Sequence, residues 1–499
     1  MSELRARRSV RRGRPAWSLL AALTIAVALL AAACTSPQPQ PPQRSSQPQR
    51  SSQPQPQPQQ PSGALPTAAG SPQPASSALP PDTPAGAQLR WLIAAAAHLP
   101  LSDAQVRAHF DPAFLTQVAP ALINEALVED AISIRLLTVR ISELSTLVAD
   151  VSTYHGTSRA QVLLAVDPRG LISLLKISPA STEPAPASWA GVDATLRSVA
   201  PQVHLLVADV SHGSCRPLHG IDPATPAPLG SAVKLYVLDA VGSAVAAGKV
   251  RWDQPLTVTA QDKSLPPGEL QAEPDGTQIS VLDSAAKMIS LSDNTAADML
   301  TGLVGRSAVE AALTATGMTS PALDRPFLTT REIFVLKLDQ WPALAQRYVT
   351  AAEPSRRALL ASTVDRARLP ALEETGGWIA PRDIDRLEYF ASASDLCRAY
   401  TSLAALARQP GLAPIGRVLS LNDDGLQLDP AQWTTTWFKG GSEPGVLTLT
   451  FLATTRSGHS YVVAVQAEDR SQPIDQATAT PALLSAVKGA FTLAAAGQH

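Results

Sequence analysis

This chain is short of cysteine and of basic charge. Its 499 residues hold only three cysteines, Cys34, Cys215 and Cys397, too few for a fold held together mainly by disulfides. Basic side chains number 40 against 42 acidic ones. Six of the basic ones, Arg5, Arg7, Arg8, Arg11, Arg12 and Arg14, crowd into the first 33 residues beside a single acid, Glu3. Taking those seven away leaves 34 basic against 41 acidic side chains, a balance of −7. A chain that acidic presents no basic face to phosphates, which argues against nucleic acid as a partner. No metal-ligand cluster and no cofactor motif stand out. What is present is apolar material, 45% of the residues, in a chain too long for one average domain. The 44 prolines are unevenly spread, which points to a linker.

The start of the chain has the pattern of an export signal. The arginine cluster precedes Ala16 to Ala33, a run with no charged residue, which ends in Leu30-Ala31-Ala32-Ala33-Cys34. Small residues before a cysteine fit a signal-peptidase site, and the basic segment sets the orientation. The cysteine context resembles a bacterial lipobox in degenerate form, because the aliphatic residue stands one place too early. Residues 1–33 are therefore read as a signal peptide and Cys34 as the lipidated residue. An ordinary signal peptide and an uncleaved anchor stay open as alternatives. Residues 34–81 are built from Pro, Gln, Ser and Ala; such a segment buries no core and reads as an extended tether. The expected location is the outer face of the cell membrane. With Cys34 lipidated, Cys215 and Cys397 remain as an even pair, for which a disulfide and two buried thiols are both open.

Two folded parts follow. In residues 82–180, Ala85–Leu99 is an apolar helical stretch, and Ser102-Asp103 caps a short helix ending near Phe110. Asp111-Pro112 opens a helix expected to run to about Glu129. Four β-rich stretches then occur at Leu136–Ile141, Leu147–Ser152, Gln161–Val166 and Leu171–Ile177, with turn signals between them. Helices followed by a meander predict an α+β unit. Residues 181–192 read as a linker and 193–499 as the second domain. There, strands near both ends of the segment bracket a mostly helical centre, which predicts one antiparallel sheet beside a helical block.

The chemistry rests on three motifs. Ser231-Ala232-Val233-Lys234 places a serine and a lysine one helical turn apart, so a desolvated amine can take the serine proton. The spacing alone decides nothing, since Ser173/Lys176, Ser284/Lys287 and Ser485/Lys488 share it; those three read as a strand, a mid-helix face and the surface of the last helix. Context selects Ser231, which follows a strand–turn–strand unit and Pro228-Leu229-Gly230 and opens a helix, where N–H groups and the dipole favour developing negative charge. Ser292-Asp293-Asn294 comes next, then Lys439-Gly440-Gly441-Ser442 ahead of a strand.

That order of motifs resembles the class A β-lactamases and penicillin-binding proteins. The resemblance covers about residues 193–499 and implies roles: Ser231 as acylated nucleophile, Lys234 as its base and Ser292 as relay to the leaving group. It further implies that Asn294 contacts the substrate amide, and that Lys439, Gly441 and Ser442 line the carboxylate side. The oxyanion hole it implies takes the nucleophile's own N–H and a second one from the strand after Lys-x-Gly. Two departures stand out. Gly440 replaces the family's Thr or Ser, and no Glu-Pro-x-Leu-Asn segment supplies a deacylating glutamate. Glu332 reads as a helix N-terminal acid; Asp383 and Glu388 read as surface charge or ion-pair residues.

A second resemblance spans residues 82–499. Thr83 to Leu89, Ala108-His109-Phe110, Pro228 to Leu238, Leu328 to Glu332 and Leu387 to Ser392 resemble the two-domain protein of clavulanic acid biosynthesis clusters and its actinobacterial lipoprotein relatives. It implies a steroid-isomerase-like α+β fold for residues 82–180. No acid–base pair is found there, and His109 and His155 are isolated, so this domain is expected to support or recognise rather than catalyse. The function expected is a serine hydrolase acting through an acyl-enzyme on an ester, amide or β-lactam, its partner a small or cell-wall-derived acyl substrate. The alternative is a penicillin-binding or sensor module that is acylated and stalls.

Overall fold

A computed structural model describes residues 79–497, apart from 144, 168 and 372–376. The signal segment, Cys34 and most of the tether lie outside the described residues.

The first unit opens with four helices: α1 (Pro84–Ala95), α2 (Asp103–His109), α3 (Pro112–Gln117) and α4 (Pro120–Asp130). Thr83 caps α1, and Ser102 with Gln105 forms a capping box on α2, so each start is fixed locally. The single helix expected from Pro112 to Glu129 is two. Pro120 disfavours helical geometry at the residue before it, and Ala119 is extended, at φ −61° and ψ 145°. Four strands follow as an antiparallel meander, β1 (Arg135–Ser142), β2 (Thr146–Thr153), β3 (Ser158–Val166) and β4 (Ile172–Pro179). The helices cover one face of the sheet, where Leu89, Leu92, Phe110, Leu147 and Val162 form a core.

The second unit begins with α5 (Trp189–Arg197), so its first helix starts inside the stretch assigned to the linker, capped by Ser188. Strands β5 (Gln202–Asp209), β6 (Arg216–Ile221) and β7 (Ala227–Pro228) precede α6 (Lys234–Ala246). The helical block continues through β8 (Pro255–Thr257), β9 (Gln278–Ser280), α7 (Val281–Ser290), α8 (Asn294–Val304) and α9 (Arg306–Ala315). Then come α10 (Thr330–Leu338), α11 (Ala343–Val349), α12 (Glu353–Leu359), β10 (Phe390–Ala391), α13 (Ala393–Ala407) and α14 (Pro414–Leu419). The chain closes with β11 (Trp433–Glu443), β12 (Val446–Thr455), β13 (Ser460–Glu468) and α15 (Gln476–Ala496).

Five of these strands form one antiparallel sheet in the order β11-β12-β13-β5-β6, made from both ends of the segment as expected. One face packs against α5 and α15 around Leu205, Phe451, Val463 and Phe491. The other packs against the helical block around Tyr236, Leu300, Tyr400 and Val462. Cys215 and Cys397 form a disulfide with Cα atoms 6.2 Å apart, which settles the choice left open by composition. Ser485, expected on the surface of the last helix, is buried; its hydroxyl donates to the Pro184 carbonyl at 2.7 Å.

The two units touch through the open face of the first sheet. Val148, Leu163 and Leu174 pack with Leu421, and Leu291 lies against them. Gly425, with φ +85°, passes so close to Pro179 that a Cβ there would sit 2.2 Å from its carbonyl oxygen; only glycine fits that approach.

Candidate active site

The three motifs meet in one cleft between the edge strand β11 and the helical block. Residues 230–233 form a 3₁₀ turn that runs directly into α6. Gly230 sits at φ +51°, and a Cβ there would lie 2.7 Å from the Ser442 nitrogen. A Cβ on Gly441 would lie 2.5 Å from the Ser231 nitrogen. The two glycines thus let the turn and the strand approach backbone to backbone, which brings the N–H groups of Ser231 and Ser442 to one place. The second oxyanion donor, which the motifs alone do not assign, is best matched by Ser442.

Lys234 is buried, and no carboxylate touches it. Its Nζ donates to Ser231 Oγ at 3.1 Å, to the Ser292 carbonyl at 2.5 Å, to Ser292 Oγ at 3.2 Å and to Asn294 Oδ1 at 2.6 Å. Burial pushes its pKa down to about 7, against the opposing pull of Asp293 and Asp298. A buried ammonium with only neutral partners loses hydration without a compensating charge, so the amine form gains. Ser292 holds a left-handed backbone, φ +58°, unusual for a serine and a conformation that clusters at functional sites. Its hydroxyl also accepts from Lys439 Nζ at 3.1 Å. Lys439 further donates to the Gly440 carbonyl at 2.6 Å and is held well below the usual lysine range by burial, then by the charges of Lys234 and Lys176.

Asn294 is buried, its amide spanning Lys234 and the Leu265 carbonyl at 2.9 Å; it orients the lysine before any substrate arrives. Asp293 is a clamp. One oxygen takes the Ala296 N–H and caps α8, and the other takes the Glu269 and Leu270 N–H groups. Gly440 has a steric reason to lack a side chain: a Cβ would meet Phe438 Cζ at 2.8 Å. Ser442 is exposed at the cleft.

The acids singled out from sequence are locked elsewhere. Glu332 forms a capping box with Thr329 and an ion pair with Arg306 at 2.6 Å. Glu388 belongs to a buried cluster in which Lys337 donates to Glu443 at 2.5 and 2.7 Å and reaches Glu388 at 3.4 Å; of the two readings left open for it, the ion pair is the one found, and it is buried. Asp383 pairs with Arg386. His109 stacks on Trp91 and bonds Gln88, and His155 meets Ser133. The other serine–lysine pairs are inert: Lys287 is tied to Glu269, and Ser284 is fully buried.

Three groups escaped sequence reasoning. Asp298 accepts the N–H groups of Thr330 and Arg331 at 2.7 and 2.8 Å, and burial raises it to about 7. Lys176 from β4 of the first unit pairs with Asp424 at 3.5 Å, and both act on Lys439. The lysine of a discarded serine–lysine pair therefore returns as a neighbour of the site.

Residues 191–369 match the beta-lactamase enzyme family, and residues 80–172 match the family described as ORF 12 gene product N-terminal. Among solved structures, a β-lactamase from Sphaerobacter thermophilus is 20% identical with a TM-score of 0.43, over 62% of this chain and 97% of its own. One from Chitinophaga pinensis is 15% identical with a TM-score of 0.42, over 62% and 98%. PBP-A is 15% identical with a TM-score of 0.40, over 62% and 99%. No curated protein matches the chain. The match to the beta-lactamase enzyme family thus falls on the part of the second unit that holds Ser231, Lys234, Ser292 and Asn294.

Proposed function

We propose that the chain is an exported, lipid-anchored serine hydrolase in which Ser231 attacks an acyl substrate and the resulting acyl-enzyme is released slowly. One observation carries this reading: the 3.1 Å contact between Ser231 Oγ and a buried Lys234 whose amine form is favoured near neutral pH. Lys234 takes the hydroxyl proton as Oγ bonds the carbonyl carbon. The oxyanion lies between the Ser231 and Ser442 N–H groups. Ser292, bridged to both lysines, passes a proton to the leaving group as the scissile bond breaks. Lys439 and Ser442 receive the substrate carboxylate.

Slow release is supported by where the carboxylates are. Glu332 is spent on Arg306 and on its own helix start, and Glu388 on Lys337; no contact joins either to Ser231 or Lys234. A missing general base costs about 10²–10⁴ in rate. Timed mass spectrometry after addition of a penicillin tests this. The expected result is rapid gain of one adduct at Ser231 that persists; fast steady turnover without a burst would overturn slow release, and no adduct would overturn the hydrolase reading. The anchor has its own test: Cys34→Ser should free the protein from membranes, and native protein without acyl mass at Cys34 would refute lipidation. The relationship to the clavulanic acid cluster protein is part of this proposal, supported by the match of residues 80–172.

A further inference from the structure

We propose that the first domain supplies a specificity residue to the active site: Lys176 binds the carboxylate of the substrate, opposite Lys439 and Ser442. The inference rests on the hydrolase reading of the site. β4 alternates its side chains, so Leu174 and Lys176 share a face, and Lys176 stands across from Leu163 in the β3–β4 register. That face packs on Leu421 and Leu291, and Leu291 directly precedes Ser292. Lys176 is thereby held on the side of the second unit that carries the Ser-Asp-Asn turn, near enough to Lys439 for its charge to act on that amine. Its side chain keeps 23% of its surface exposed and meets Asp424 at 3.5 Å.

The three lysines here have different work. Lys234 is enclosed by Ser231, Ser292 and Asn294. Lys439 is 2% exposed, with two of its donors given to Ser292 Oγ and the Gly440 carbonyl. Lys176, with 23% of its side chain exposed, is the least enclosed of the three, and its contact with Asp424 at 3.5 Å is at the long limit of a hydrogen bond. A substrate carboxylate can displace that contact at less cost than the short hydrogen bonds that hold Lys234 and Lys439. The sheet of the first domain fixes a long side chain that a loop would leave mobile.

Benzylpenicillin and its methyl ester, which differ only in the carboxylate, test this. Their binding to Ser231→Ala protein is measured with and without Lys176→Met. The expected result is that Lys176→Met weakens binding of the acid roughly tenfold to a hundredfold and leaves the ester unchanged, with Lys176→Arg retaining most of the preference. Equal loss for both ligands would make Lys176 an interdomain strut and overturn the proposal. So would an unchanged preference, or no binding of either ligand to Ser231→Ala protein. Labelling of wild-type protein by a neutral fluorophosphonate is measured in parallel. Absence of labelling in the wild type would refute the hydrolase reading alone, since the binding contrast does not depend on turnover.

Discussion

Three lysines are buried in the second domain, and two of them, Lys234 and Lys337, have opposite surroundings. Lys234 sits among two hydroxyls, a carbonyl and an amide. Lys337, fully buried, sits against Glu443 and Glu388, with the Trp378 ring 5.3 Å away. Both lie near β11, Lys234 by its Lys-x-Gly turn and Lys337 by its last residue. The difference lies in where charge is compensated. A lysine given carboxylates becomes a strut joining α10 to the end of β11. A lysine given only neutral acceptors is poised to act as a base, because burial costs its charged form and the more distant Asp293 and Asp298 offset only part of that cost. In the carboxylate cluster the strain appears on the acids instead: Glu443 is pushed well above the usual carboxylate range by burial and by the charge of Glu388.

Breaking the first environment should have the largest effect. Ser231→Ala is expected to abolish covalent labelling, and Lys234→Met to slow acylation by about 10²–10⁴, both read by intact-protein mass spectrometry. The wild type sharpens the point. The reactive form of Lys234 is the deprotonated one, and its pKa is depressed to about 7. Acylation should therefore rise as pH climbs through about 7 and level off above it; a flat profile across that range would refute Lys234 as base. Breaking the second environment should act on stability instead. Lys337→Met leaves two buried acids without their cation and should cost about 3–5 kcal/mol, seen as a lower melting temperature, while folded protein still labels at Ser231. The smallest effect concerns the strand between them. Gly440→Thr adds a hydroxyl but drives a Cβ into the Phe438 ring, so a loss of about 1–3 kcal/mol is expected, measured by thermal unfolding.

The motifs were legible because each sits where local chemistry announces it: Ser231 at a helix start after Gly230, Asn294 at the opening of α8, Lys439 ahead of two glycines in a strand. The β-meander of the first domain was legible from its β-rich stretches and the turn signals between them. The neighbours of the site were not. Asp298 matters through Thr330 and Arg331, and Lys176 through Leu291 and Asp424, contacts set by tertiary packing that no spacing encodes. Ser485 was misplaced because the segment around Pro184 covers it. The break before Pro120 was readable from the proline itself, which disfavours a helical residue ahead of it.

The Cys215–Cys397 bridge joins points 182 residues apart. The stretch between them contains Ser231 and Ser292 and leaves Lys439 outside. A protease cut on a surface loop within that stretch would therefore not release a fragment: both pieces stay one covalent molecule until the bond is reduced. Ser231 and Ser292 also remain tied to the strand pair β5–β6 and to α13 after such a nick. A bridge of this kind persists in an oxidising compartment, so under the proposed export the cross-link would give this half of the molecule tolerance to nicking by proteases.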